Sequence, residues 1–143
     1  MPNATDKIVC TIAVLVHLVV NVLHGRAHGA LGVGLSAWQN VYVIVVILIA
    51  PLVAMVLLWT RYARVGLLLL VVSMAGALIF GLVYHYVVVS PDHVSHLPPG
   101  DARGMFRMTA LLLMLTELFG VLVGLLGMRT ALRPKGFSNA EKR

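Results

Sequence analysis

The sequence predicts an all-α fold: one integral membrane bundle of four transmembrane helices with both termini on the cytoplasmic side. Three observations carry this. Hydrophobic residues make up 60% of the 143 residues and charged residues only 11%, whereas soluble domains carry about 25% charged residues. Four long apolar segments, approximately 8–30, 38–59, 65–89 and 105–128, each reach the ~20 residues needed to cross a hydrocarbon core. The basic residues are also unevenly shared between the two ends these segments define. Lys7, Arg61, Arg64, Arg129, Arg133, Lys135, Lys142 and Arg143 fall at the end with the termini, against Arg26, Arg103 and Arg107 at the other. By the positive-inside bias, the 25–37 and 90–104 connections face the periplasm or cell exterior.

The four segments leave almost no chain for a second domain, so residues 1–143 read as a single transmembrane domain ending in a basic cytoplasmic tail, 129–143. Short alternating strands of a β-barrel are absent. The first segment has one basic residue before it and is longer than a signal-peptide core, so it reads as an uncleaved span. Much of the net charge of +6 lies in the tail, where it serves topology and attraction to anionic headgroups. With no aromatic platform or recognisable module in that tail, nucleic acid is not an expected partner. The lone Cys10 excludes an intrachain disulfide. Short loops and no targeting segment fit a bacterial inner membrane.

In the first span, Cys10, His17, Asn21, His24 and His28 fall within an arc of roughly 60° at 100° per residue. Polar groups are costly against lipid, so this stripe marks the face turned into the bundle. Arg26 points the other way and reaches the interface. Residues 29–37 are compatible with either continued helix or a re-entrant turn. The second span opens on Trp38, Gln39, Asn40 and Tyr42, an interfacial aromatic belt. Pro51 lies within it and predicts a kink. The third span aligns Ala77, Gly81 and His85 on one face. Ser90–Asp101 follows, a polar loop stiffened by three prolines. The fourth span carries Glu117 about twelve residues in, roughly 18 Å deep, with Gly120 and Gly124 extending its face as a packing seam.

Five of the six histidines gather at the outer end. His24 and His28 are spaced i, i+4, which lets two imidazoles share one metal. His85, His93 and His96 supply further ligands, with Asp92 beside them. Imidazole suits zinc, copper and iron, and Met105 and Met108 tilt the balance slightly toward copper. A b-type haem is the alternative. It needs a histidine from each of two facing helices, with Gly25, Gly29 and Gly81 admitting the ring and Arg26, Arg103 or Arg107 taking its propionates. The competing reading is that these histidines cap helices and anchor at headgroups. Near mid-membrane, His17, Asn21 and Glu117 suggest either a proton-linked pair or a hydrogen bond that fixes helix packing.

The expected function is therefore to hold a transition metal or haem b at the outer face, for electron transfer or metal handling. Two other classes stand beside it: a proton-linked transport or channel subunit, and a structural or assembly subunit of a larger membrane complex. Both call for a homo-oligomer or a membrane partner in addition to the lipid bilayer. Whether the chain is an enzyme is not legible in the sequence.

Overall fold

A computed structural model describes residues 1–132; residues 133–143, most of the expected basic tail, lie outside the described residues. The described chain is all-helical, and four helices are long and apolar enough to cross a membrane: α1 (Ala4–Leu31), α2 (Ala37–Leu58), α3 (Ala63–Val87) and α4 (Arg103–Leu132).

Local signals set the ends of α1. Asn3 and Asp6 form a reciprocal capping box at its start, and Gly32, at φ +64°, closes it in the left-handed conformation. The helix therefore stops at Leu31, and Val33–Leu35 form a non-helical connection to the Ser36–Gln39 capping box of α2. That settles the 29–37 segment, which the sequence left open.

Two of the spans contain π-helical turns. In α2 the π segment is Val43–Ile49, just before Pro51; in α3 it is Val83–Val87, around His85. Proline has no N–H, so the carbonyl four residues earlier, that of Ile47, lacks its usual helical donor. The helix accommodates this with i→i+5 bonding (Ala50 N–H to the Val45 carbonyl). The imidazole of His17 supplies the missing donor, its Nε2 standing 3.2 Å from the Ile47 carbonyl oxygen.

Helix α4 is the hub, packing against both α1 and α3, while α2 packs on α3. Close approach of α3 and α4 depends on glycine. A Cβ on Gly120 would stand 2.8 Å from Met74 Cγ, one on Gly124 2.7 Å from Val71 Cγ2, and one on Gly127 2.9 Å from Leu67 Cδ2. The Gly120/Gly124 seam is thus used inside the bundle rather than presented to a partner. A core of Cys10, Val14, Ala54, Leu58, Leu67, Leu70 and Met74 fills the end near the termini. A second cluster, Ala27, Leu31, Val33, Leu97, Phe106 and Ala110, closes the other end, and Leu97 pins the 88–102 loop over it. Large apolar side chains such as Val19, Val45, Val72 and Leu122 stay exposed on the outside, where a bilayer would cover them.

The lower half of α2 meets α1, with Trp59 Nε1 donating to Thr11 Oγ1 at 3.1 Å. The first turns of α2 are not closely packed against α1, and a gap opens there.

Candidate metal centre

The stripe on α1 is turned inward as its spacing predicts: Cys10, His17 and His24 are buried, Asn21 and His28 partly so. Across from it, His85 is buried at the π-helical end of α3. These elements bring His24, His28 and His85 together as three residues placed to hold a metal ion, with one ligand nitrogen from each lying within 4.8 Å of the others. The Nε2 atoms of His24 and His85 are 3.2 Å apart, as are those of His28 and His24.

The partners of the other ring nitrogens determine what those contacts mean. His28 Nδ1 faces the Val33 carbonyl oxygen at 3.1 Å, and His85 Nδ1 faces the Asp92 carbonyl oxygen at 3.1 Å. A carbonyl only accepts, so both Nδ1 atoms carry the proton. His24 Nδ1 lies 2.9 Å from Thr109 Oγ1, whose own hydroxyl donates to the Met105 carbonyl at 2.7 Å. Thr109 must then accept, and His24 is protonated on Nδ1 as well. In their neutral forms, all three imidazoles therefore turn an unprotonated Nε2 toward the same point. Lone pairs do not hydrogen-bond to one another. A single added proton would relieve only one such contact, whereas a metal ion relieves them all.

Two of the three spacings agree. Ligands 2.0–2.1 Å from a tetrahedral zinc are about 3.3 Å from one another, close to the 3.2 Å between His24 and each of the other two, and the trio as a whole falls within 4.8 Å. Fixing each Nδ1 through an outer partner is also how proteins orient metal-binding histidines.

Phe106, fully buried, walls the trio, with its ring centroid 4.6, 4.8 and 5.4 Å from those of His24, His28 and His85. The carboxylate of Asp92 lies alongside. Its Oδ1 is 3.3 Å from both His28 Nε2 and His85 Nδ1, yet neither carboxylate oxygen has a well-formed hydrogen bond. A buried carboxylate beside the protonated His85 Nδ1 and the unprotonated His28 Nε2 is short of positive charge, which a cation at the trio would supply.

The five histidines at this end of the bundle separate into a trio and a pair. His93 and His96 stand apart, Nδ1 to Nδ1 at 3.1 Å, the first partly buried and the second exposed, beyond the loop turn that directs Asp92 inward. Of the other expected site residues, Gly25 and Gly81 line a cavity next to the trio, whereas Gly29, Arg26 and Arg103 do not. His17, Asn21 and Glu117 do not form one hydrogen-bonded group. His17 bonds to the Ile47 carbonyl and to Asn21, and Glu117 Oε2 is buried without a partner. Sequence reasoning missed Thr109, Phe106 and Val33 as supports. Nothing in their types or spacing marks them, because each acts only through contacts between helices.

Bundle and site together define a class: a polytopic helical membrane protein with a three-histidine centre at one end. Compared with protein-family models, curated proteins and solved structures, the chain matches none of them.

Proposed function

We propose that this protein holds a single first-row transition metal ion through Nε2 of His24, His28 and His85, with Asp92 as its anionic neighbour, at the outer face of a bacterial inner membrane. The convergence of three Nε2 atoms whose rings are each protonated at Nδ1 carries this reading. Three protein ligands leave a coordination position free, and the adjoining cavity gives that position access to a small molecule. Such a site suits electron transfer or the handling of the metal itself. A structural ion would be closed off by a fourth protein ligand.

A bare ion is favoured over haem. Axial histidines of a haem keep their Nε2 atoms about 4 Å apart, twice the metal–nitrogen bond, with the ring between them. The 3.2 Å separation of His24 and His85 leaves no room for that ring between them, and for a ring held by His28 and His85 instead, His24 Nε2, 3.2 Å from each of their Nε2 atoms, stands in the way. Imidazole ligation alone suits zinc, copper and iron; Met105 and Met108 are not among the residues lining the cavity.

The orientation belongs to the same proposal. The end carrying Lys7, Arg61, Arg64 and Arg129 is placed in the cytoplasm and the metal centre outside.

Elemental analysis of protein purified in mild detergent tests the reading directly, with an optical spectrum on the same sample. Close to one zinc, copper or iron per chain is expected, without a Soret band, and with loss of the ion in His24→Ala and His85→Ala. Equal metal content in the wild type and both variants would overturn it. A Soret band with sharp reduced α-bands would replace the bare ion with haem.

A further inference from the structure

The cavity beside the trio has a volume of about 510 Å³, within the range of small-molecule sites. Its walls are mostly apolar, formed by Val43, Ile47, Phe80, Ala110, Leu113 and Met114. Its titratable groups lie toward two ends, with Asn21 and Asn40 as further polar lining. One end is the histidine trio. At the other, Glu117, only 2% exposed, presents an Oε2 that has no hydrogen-bond partner. Gly81 lies between them. A Cβ there would stand 3.8 Å from Glu117 Oε2 and 3.9 Å from His85 Cδ2, so the missing side chain is part of the space. Glu117 Oε2 and the edge of the His85 ring therefore face the same space from either side of Gly81.

The mouth is equally specific. The exposed lining residues are Gly25 on α1, Gly34 in the connection and Asn40 on α2, at the gap where α2 stands away from α1. Gly25 is six residues inside the end of α1, about 9 Å along the helix. The opening therefore faces the membrane interface sideways, and an apolar molecule dissolved in lipid reaches it without crossing water.

We infer that this cavity binds a membrane-dissolved quinol, one hydroxyl reaching the open position of the metal centre and the opposite hydroxyl donating to Glu117. A six-membered ring with para hydroxyls matches the cavity on two counts. It is apolar at its faces and edges, and it is polar at two opposite points, as are the walls and the ends of the cavity. An unpartnered buried carboxyl is costly unless a ligand satisfies it. A metal cation as occupant of the deep end fits less well, because the surrounding walls offer few oxygen or nitrogen ligands. The inference concerns binding alone, and it rests on the metal reading only for the outer of its two contacts.

The test uses the full chain in lipid nanodiscs, loaded with redox-inert Zn²⁺, and duroquinol kept reduced under anaerobic conditions. Bound quinol is measured by equilibrium dialysis against empty nanodiscs, with zinc content determined on every preparation. Wild type should show saturable binding of one quinol per chain above lipid partitioning. Gly81→Leu, which fills the space, and Glu117→Leu, which removes the acceptor, should each weaken it at least tenfold. Gly81→Ala, whose methyl meets only ordinary contacts, should bind nearly as wild type. No saturable excess, or unchanged binding in both leucine variants, would overturn the inference. Glu117→Leu decides the matter if Gly81→Leu does not fold, since the two lie on different helices. Zinc retained without quinol binding defeats this inference alone; quinol bound by protein that holds no zinc defeats the metal reading instead.

Discussion

At the scale of single residues, the outer hydrogen bonds separate ligands from bystanders. Replacing His93 or His96 with Ala should leave metal content unchanged, because that pair stands apart from the trio and bonds within itself. Asp92→Asn removes the anion yet keeps the backbone carbonyl that holds His85, so the trio stays assembled. Losses at such supporting positions are typically 10–100-fold in metal affinity, and competition with a chelator of known affinity would measure this one. Thr109→Val removes the acceptor that fixes the His24 tautomer and should fall in the same range. Glu117→Leu should leave thermal stability unchanged or raise it, because no hydrogen bond is lost. A marked fall in melting temperature would return Glu117 to a packing role.

At the scale of elements, the informative coupling is between α1 and the interrupted α2. His17 serves the Ile47 carbonyl that Pro51 leaves without a helical donor. Leaving a buried carbonyl unsatisfied costs about 1–3 kcal/mol, so His17→Leu should destabilise the bundle by that order. Pro51→Ala restores a backbone N–H at the very position the carbonyl lacks. The double variant should therefore recover part of the loss, and thermal unfolding of the four proteins in a double-mutant cycle would show it as a non-zero coupling energy. Additive losses would mean that His17 has some other task. The sequence marks both His17 and Pro51 as unusual within their spans. It does not show that one answers the other, because they are 34 positions apart and on different helices.

At the scale of the whole molecule, the glycine seam joins α3 to α4 and the metal centre joins α3 to α1, so α3 is common to both. Gly124→Val should separate α3 from α4, because its Cβ would already meet Val71 at 2.7 Å. Overpacking of this kind costs about 1–3 kcal/mol, and a lowered melting temperature would report it. Metal should stabilise the folded bundle by about 2.7 kcal/mol at a hundredfold excess over Kd, since the ligands come from α1 and α3 and meet only when the helices pack. Chelation should lower the melting temperature of wild type and leave that of His24→Ala unmoved. Acidification should release the ion, because coordination needs the unprotonated nitrogen.

Much of the architecture is legible in the chain alone. Four apolar segments of spanning length dictate four helices, because backbone polar groups in lipid must be satisfied within the segment. The inward face of α1 follows from its period. So does the pairing of His24 with His28, since an i, i+4 relation is local. Which distant groups meet them is not a local property. Sequence distance alone groups Asp92, His93 and His96 at one level. The loop turn, with the Val94 N–H bonded to the His85 carbonyl at 3.0 Å, directs the first inward and leaves the others outside. The π-helical turns, the gap between α1 and α2, and the partners at Val33 and Thr109 likewise arise only when the helices pack. Composition and periodicity determine that this chain has four helices long and apolar enough to cross a membrane, and which face of α1 turns inward. Tertiary packing decides which nitrogens converge and where a cavity remains, because those depend on contacts between residues that no local pattern relates.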